Sequence, residues 1–87
     1  MPTTTAFSYL IMMNIYLREG KVEDALKILE EMLKKRQFIP ERQIPALFVL
    51  ELAIYESSLP NKEDLKERFV AFSKMNQQIM DEFYTAK

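Results

Sequence analysis

The sequence predicts an all-α fold of four helices, arranged as two antiparallel helix-turn-helix pairs. Three observations carry that prediction. Leu, Ile, Met, Ala, Glu and Lys dominate the chain, and these mostly favour helix. One glycine and four prolines leave little material for the many tight turns of an all-β fold. In the second and fourth predicted segments the apolar residues recur at steps of three and four, the spacing of one helix face. At 87 residues and 48% hydrophobic content, one domain with one modest core is expected over residues 1–87. Residues 6–36 would form its first helix pair and 44–84 its second.

The first helix is predicted from about Ala6 to Glu19. Thr3, Thr4 and Thr5 precede it, and a threonine hydroxyl satisfies free amides at a helix start. Phe7, Tyr9, Leu10, Ile11, Met12, Met13, Ile15, Tyr16 and Leu17 cover nearly the whole circumference, the pattern of a helix buried on more than one side. Gly20 supplies the left-handed stop. The second helix, from about Val22 to Arg36, is cleanly amphipathic: Val22, Ala25, Leu26, Ile28, Leu29, Met32 and Leu33 share one broad face. Glu23 and Lys27, Glu30 and Lys34, and Glu31 and Lys35 sit four apart with the acid first, which supports the helix. Acids open this helix and Lys34, Lys35 and Arg36 close it, matching the helix dipole.

Gln37–Gln43 reads as a connector broken by Pro40. Pro45 fits the first turn of a third helix from about Ile44 to Ser57, because its missing amide has no partner to lose there. That helix is apolar on most sides through Leu47, Phe48, Val49, Leu50, Leu52, Ala53, Ile54 and Tyr55, with Glu51 and Glu56 marking a wet side. Ser58-Leu59-Pro60 ends it. Asn61 is the expected cap of the last helix, Lys62 to Tyr84, with Glu63 and Asp64 behind it. Its stripe is Leu65, Phe69, Phe72, Asn76, Ile79 and Phe83, widened by Val70, Met80 and Tyr84. Asn76 inside that stripe reads as a register-setting core group. At 1.5 Å per residue the helix is roughly 35 Å long, so its final turns are expected to overhang a short body.

Composition excludes several functions. Without cysteine there are no disulfides and no thiolate metal sites. Without histidine the commonest general base and transition-metal ligand are missing. Glu30 and Glu31 are helix neighbours that point apart, not a catalytic pair. A single glycine cannot build a phosphate-binding loop. No catalytic, cofactor-binding or metal-ligating residue is therefore assigned, no cofactor is implied, and the chain is not expected to be an enzyme. Net charge is −1, which favours neither nucleic acid nor an anionic membrane. The apolar runs Phe7–Leu17 and Ile44–Tyr55 fall short of the roughly 18 residues of a membrane span. Met1-Pro2-Thr3-Thr4-Thr5 has no basic residue of the kind that opens a targeting peptide. The protein is expected in the cytoplasm unless a targeting segment lies outside this chain.

Tyr16, Gly20, Ala25-Leu26, Leu29, Met32 and Pro40 follow one another at suggestive intervals. Over residues 7–40 that pattern resembles a helical hairpin repeat of the pentatricopeptide family, most closely from Ile15 to Met32. The glycine turns the chain, Ala25 permits close approach of the two axes, and Tyr16 and Leu29 fill the gap between them. The tetratricopeptide repeat shares the glycine and alanine but favours small residues where Met13 and Met32 stand, so it ranks second. The resemblance implies solenoid-like, right-handed stacking of the pairs and a setting in organelle RNA handling or an organellar ribosome, hence a mitochondrial or plastid location. Family members that read RNA place a small polar residue near the start of the first helix to meet a base edge. Leu10 stands at the equivalent position and cannot make that bond. Residues 41–85 echo the repeat loosely, with Glu63-Asp64 lying 40 positions after Glu23-Asp24.

The function expected is a non-catalytic binding or scaffold module in a larger assembly; the alternative is a tetratricopeptide-like adaptor for a protein helix or peptide. Stacked helix pairs usually need three or more units for stability, so two pairs should expose apolar faces. The candidate partner-binding residues are Phe7, Leu10 and Met13 on the first helix and Phe48, Leu52 and Tyr55 on the third. The partner would be another protein or a second copy of the chain. In the competing arrangement the fourth helix folds across and covers the first and third. Lys34, Lys35, Arg36 and Arg42 are candidate phosphate contacts should RNA bind, although a solvated helix end explains them as well.

Overall fold

A computed structural model describes residues 2–85, with side chains from Ala6 onward. Four helices follow in order: α1 (Pro2–Arg18), α2 (Val22–Lys34), α3 (Pro40–Glu56) and α4 (Lys62–Thr85). The described residues contain no strand. The all-α prediction and the number of helices therefore hold.

The helix ends follow from local chemistry. α1 starts at Pro2, four residues before the expected Ala6, and proline suits a first helical position. The threonines thus lie within the helix, and the cap expected of their side chains falls outside the described residues. At its other end Gly20 takes φ +76°. Gly20 N–H donates to the Leu17 carbonyl (3.1 Å) and Lys21 N–H to that of Tyr16 (2.8 Å), a complete Schellman stop. α2 ends the same way, with Arg36 at φ +54°, bonding to Leu33 (3.0 Å), and Gln37 bonding to Met32 (2.9 Å). A second left-handed stop, built on arginine, was not legible in the sequence.

The start expected for α3 needs correction. It begins at Pro40, which takes the first-turn role assigned to Pro45, and Pro45 lies inside the helix on an exposed face. The Ser57 hydroxyl donates to the Ile54 carbonyl (2.9 Å) and Lys62 Nζ to that of Tyr55 (2.6 Å), satisfying two carbonyls at the end of α3. Asn61 does precede α4, and its carbonyl accepts from Leu65 N–H (3.0 Å). Its side-chain amide, however, turns to Glu23 Oε1 on α2 (3.3 Å).

α1 and α2 pack as a tight pair, α3 lies against both, and α4 lies against α3 and α2. The core is continuous through Met13, Val22, Ala25, Leu26, Leu29, Met32, Leu33, Ala46, Leu50, Ile54, Leu65 and Phe72. α4 does not approach α1 among the described residues, so it does not cover α1 and α3. The last turns of α4 reach the α2–α3 connector, while residues 81–85 themselves stay exposed. There Met80 is buried, Phe83 meets Phe38 edge-on at 6.1 Å between centroids, and Glu82 lies 3.7 Å from Arg36.

Polar groups join α4 to both α2 and α3. Arg68 on α4 donates to Glu23 (3.1 Å) and Glu30 (3.0 Å) on α2. Partial burial opposes the Arg68 charge, but the bonds to Glu30 and Glu23 outweigh it and hold its pKa above the ordinary arginine value. Asn76 is buried as expected, and its Oδ1 accepts from the Gln43 amide at 2.9 Å.

Candidate docking faces on the first and third helices

α1 is apolar all round, yet it buries only one side. Ala6 and Met13 are enclosed, and Tyr9, Leu10, Tyr16 and Leu17 are half-buried against α2 and α3. The opposite arc exposes Phe7, Ile11 (58%), Met12 and Ile15. Phe7, Ile11 and Ile15 follow at steps of four and so stand one above another. α3 behaves likewise. Gln43, Ala46, Leu50 and Ile54 face inward, while Ile44 (62%), Phe48 (66%), Leu52 (58%) and Tyr55 line the outward side, with Val49 beside them.

The six residues assigned to partner binding separate on this geometry. Phe7, Phe48, Leu52 and Tyr55 are exposed. Met13 is 3% exposed and belongs to the core, so it drops from the candidate face. Leu10 is half-buried in a shallow cavity of about 160 Å³ between α1 and α3, lined also by Asn14, Arg42, Pro45 and Val49. Ile11, Met12, Ile15, Ile44 and Val49 join the exposed set, although the sequence pattern did not single them out. A helix apolar on every side has no phase that says which arc faces the core, so only the packing of the neighbouring helices reveals it.

Three of the four candidate phosphate contacts turn to different neighbours. Lys35 pairs with Glu31 (3.2 Å), and its hydrogen bonds to Tyr9 and Glu31 hold its pKa above the ordinary lysine value. Arg36 reaches Glu82, and Arg42 lies over the Phe7 ring, 5.7 Å from its centroid. Lys34 is exposed near the end of α2.

The open side between α3 and α4 holds two adjoining cavities. One, of about 310 Å³, is lined by Glu51, Ile54, Tyr55, Lys66, Phe69, Val70, Ser73 and Lys74. The other, of about 190 Å³, shares Glu51, Phe69 and Ser73 and adds Ile44, Leu47 and Phe48. No group of three or more acidic, histidine or cysteine side chains that would hold a metal occurs among the described residues. No described helix is long and apolar enough to cross a membrane.

Two helix pairs laid side by side, each joined by a short turn, define a helical hairpin-repeat arrangement. The family model of the PPR repeat matches residues 7–36, which span most of α1, all of α2 and the turn between them. The first pair is thus a pentatricopeptide-like hairpin, as the residues from Ile15 to Met32 indicate. No curated protein and no solved structure gives a significant match to the chain.

Proposed function

We propose that this chain is a non-catalytic helical-repeat module that docks into a larger assembly through the apolar faces of α1 and α3. The setting suggested by its PPR repeat is organellar RNA metabolism or an organellar ribosome. The exposed stripes Phe7–Ile11–Ile15 and Ile44–Phe48–Leu52–Tyr55 carry this reading. Large apolar side chains in ordered rows on two neighbouring helices mark a surface that a partner covers.

Direct base reading by the first repeat has less support. Leu10 is apolar and half-buried, and Arg42 lies over an aromatic ring. The function proposed is therefore protein contact inside an assembly that itself handles RNA.

Gradient sedimentation of the tagged chain from organelle extract tests this. The chain is expected to travel with a large particle, and the double variant Phe7→Glu, Ile11→Glu to run at the top of the gradient with its helical circular dichroism unchanged. A wild-type chain that runs free throughout overturns the proposal. Fluorescence anisotropy with labelled RNA at low salt completes the test: weak, sequence-independent binding is expected, and tight sequence-selective binding overturns the preference for protein.

A further inference from the structure

Resting on the docking function proposed above, we infer that the open groove between α3 and α4 takes a second copy of this chain, forming a two-fold dimer through α3. Within the chain, α3 itself lies against both helices of the first pair. A groove between paired helices thus already accepts a helix here. The corresponding groove of the second pair is open, as two adjoining cavities of about 310 and 190 Å³.

Its chemistry favours self-association. The floor and one wall are apolar, through Phe48, Tyr55, Phe69 and Val70. Glu51 on α3 is half-buried, and Lys74 on α4 is exposed. Both line the same cavity, yet among the described residues neither is held in an ion pair. An occupant must present an apolar stripe to the floor, an acid to Lys74 and a base to Glu51. The chain's own second pair meets all three needs: Ile44, Phe48 and Tyr55 supply the stripe, Glu51 the acid and Lys74 the base. Antiparallel packing of α3 on its counterpart brings Glu51 of each copy to Lys74 of the partner subunit, so the contact is made twice. That is the self-complementarity a closed two-fold interface requires. The α1 face lacks it. Head-to-tail stacking of one copy's groove on the α1 face of the next would not close.

Sedimentation velocity over a wide concentration range tests the dimer. Wild type is expected to shift from monomer to dimer. Phe48→Glu should remain monomeric, and Glu51→Lys and Lys74→Glu should each weaken the dimer at least tenfold. Mixing those last two should restore it as a heterodimer, since each of the two contacts then again pairs one acid with one base. These positions lie outside the core, and circular dichroism checks that each variant folds. A wild type that stays monomeric overturns the inference, as does a dimer that the charge variants leave intact. A monomeric chain that still travels with the large particle overturns the dimer alone. A dimer that runs free in extract overturns the docking function alone.

Discussion

The two helix pairs solve the same packing problem with different material. α1 and α2 meet through small and aliphatic side chains: Ala25, Leu26, Leu29, Met32 and Leu33 are all essentially inaccessible, and the turn between the helices is a glycine-stopped three-residue link. α3 and α4 meet through Leu50, Ile54, Leu65 and Phe72, but a buried amide pair, Gln43–Asn76, stands among them. On their far side the groove is unfilled. One pair is closed by its neighbour and the other presents an open side. The lesson is that a repeat unit's stability depends on what stacks on it as well as on its own sequence.

The largest test of this contrast compares two corresponding residues, 40 positions apart. Leu29 is fully buried, whereas Phe69 is half-buried and lines the open cavities. Leu29→Ala should destabilise the chain by about 3 kcal/mol in urea unfolding, through lost burial and the cavity left behind. Phe69→Ala should lose less, about 1 kcal/mol, because its site is already part empty. Equal losses would erase the distinction between closed and open pairs.

Next in size is the amide pair. Gln43→Ala leaves Asn76 Oδ1 buried without its donor and should cost about 2 kcal/mol. Replacing both residues by leucine should restore most of that stability while loosening the register of α3 on α4, visible as broadened amide resonances in those helices. Unchanged stability in Gln43→Ala would remove the pair from the account of the second hairpin.

The two Schellman stops give a smaller, opposed pair of effects. Nothing lies within 4 Å of a Cβ placed on Gly20, so Gly20→Ala loses only the backbone freedom, about 1 kcal/mol. Arg36 holds a similar left-handed conformation without that freedom. Arg36→Gly should therefore stabilise the chain by a few tenths to about 1 kcal/mol, the exposed pair to Glu82 being worth little. Denaturation midpoints that move in the same direction for both variants would contradict this reading.

The smallest effect is a pH dependence. The bonds of Lys35 to Tyr9 and Glu31 raise its pKa on folding. A raised lysine pKa contributes stability that is fully present below the ordinary lysine value and lost as pH rises through the folded value. Thermal melts should show a slight loss confined to strongly alkaline pH, reduced in Tyr9→Phe, while at neutral pH the contribution is complete and does not vary with pH.

Much of this fold was legible because α2 is amphipathic. Val22, Ala25, Leu26, Leu29, Met32 and Leu33 repeat at helical spacing with charges opposite, and all six are buried. Gly20 marked the turn for a reason internal to the backbone. α3 misled at its start, since either proline suits a first turn and only the packed chain chooses Pro40. Asn76 announced itself as a polar residue in an apolar stripe. Its partner Gln43 did not, because it lay in what read as a connector.

The candidate faces show the same division. That α1 and α3 carry more apolar surface than two pairs can bury was evident from composition. Which residues face outward was not, and Met13 was placed on the wrong side. Local periodicity determined the helices, the hairpin turn and the resemblance of residues 7–40 to a known repeat, since those depend on neighbours within a few residues. Tertiary structure decided the exposed arcs, the Gln43–Asn76 bond, the course of α4 along the body and the open groove. Those depend on which helix arrives at each surface, and a helix that is apolar on every side carries no local record of that choice.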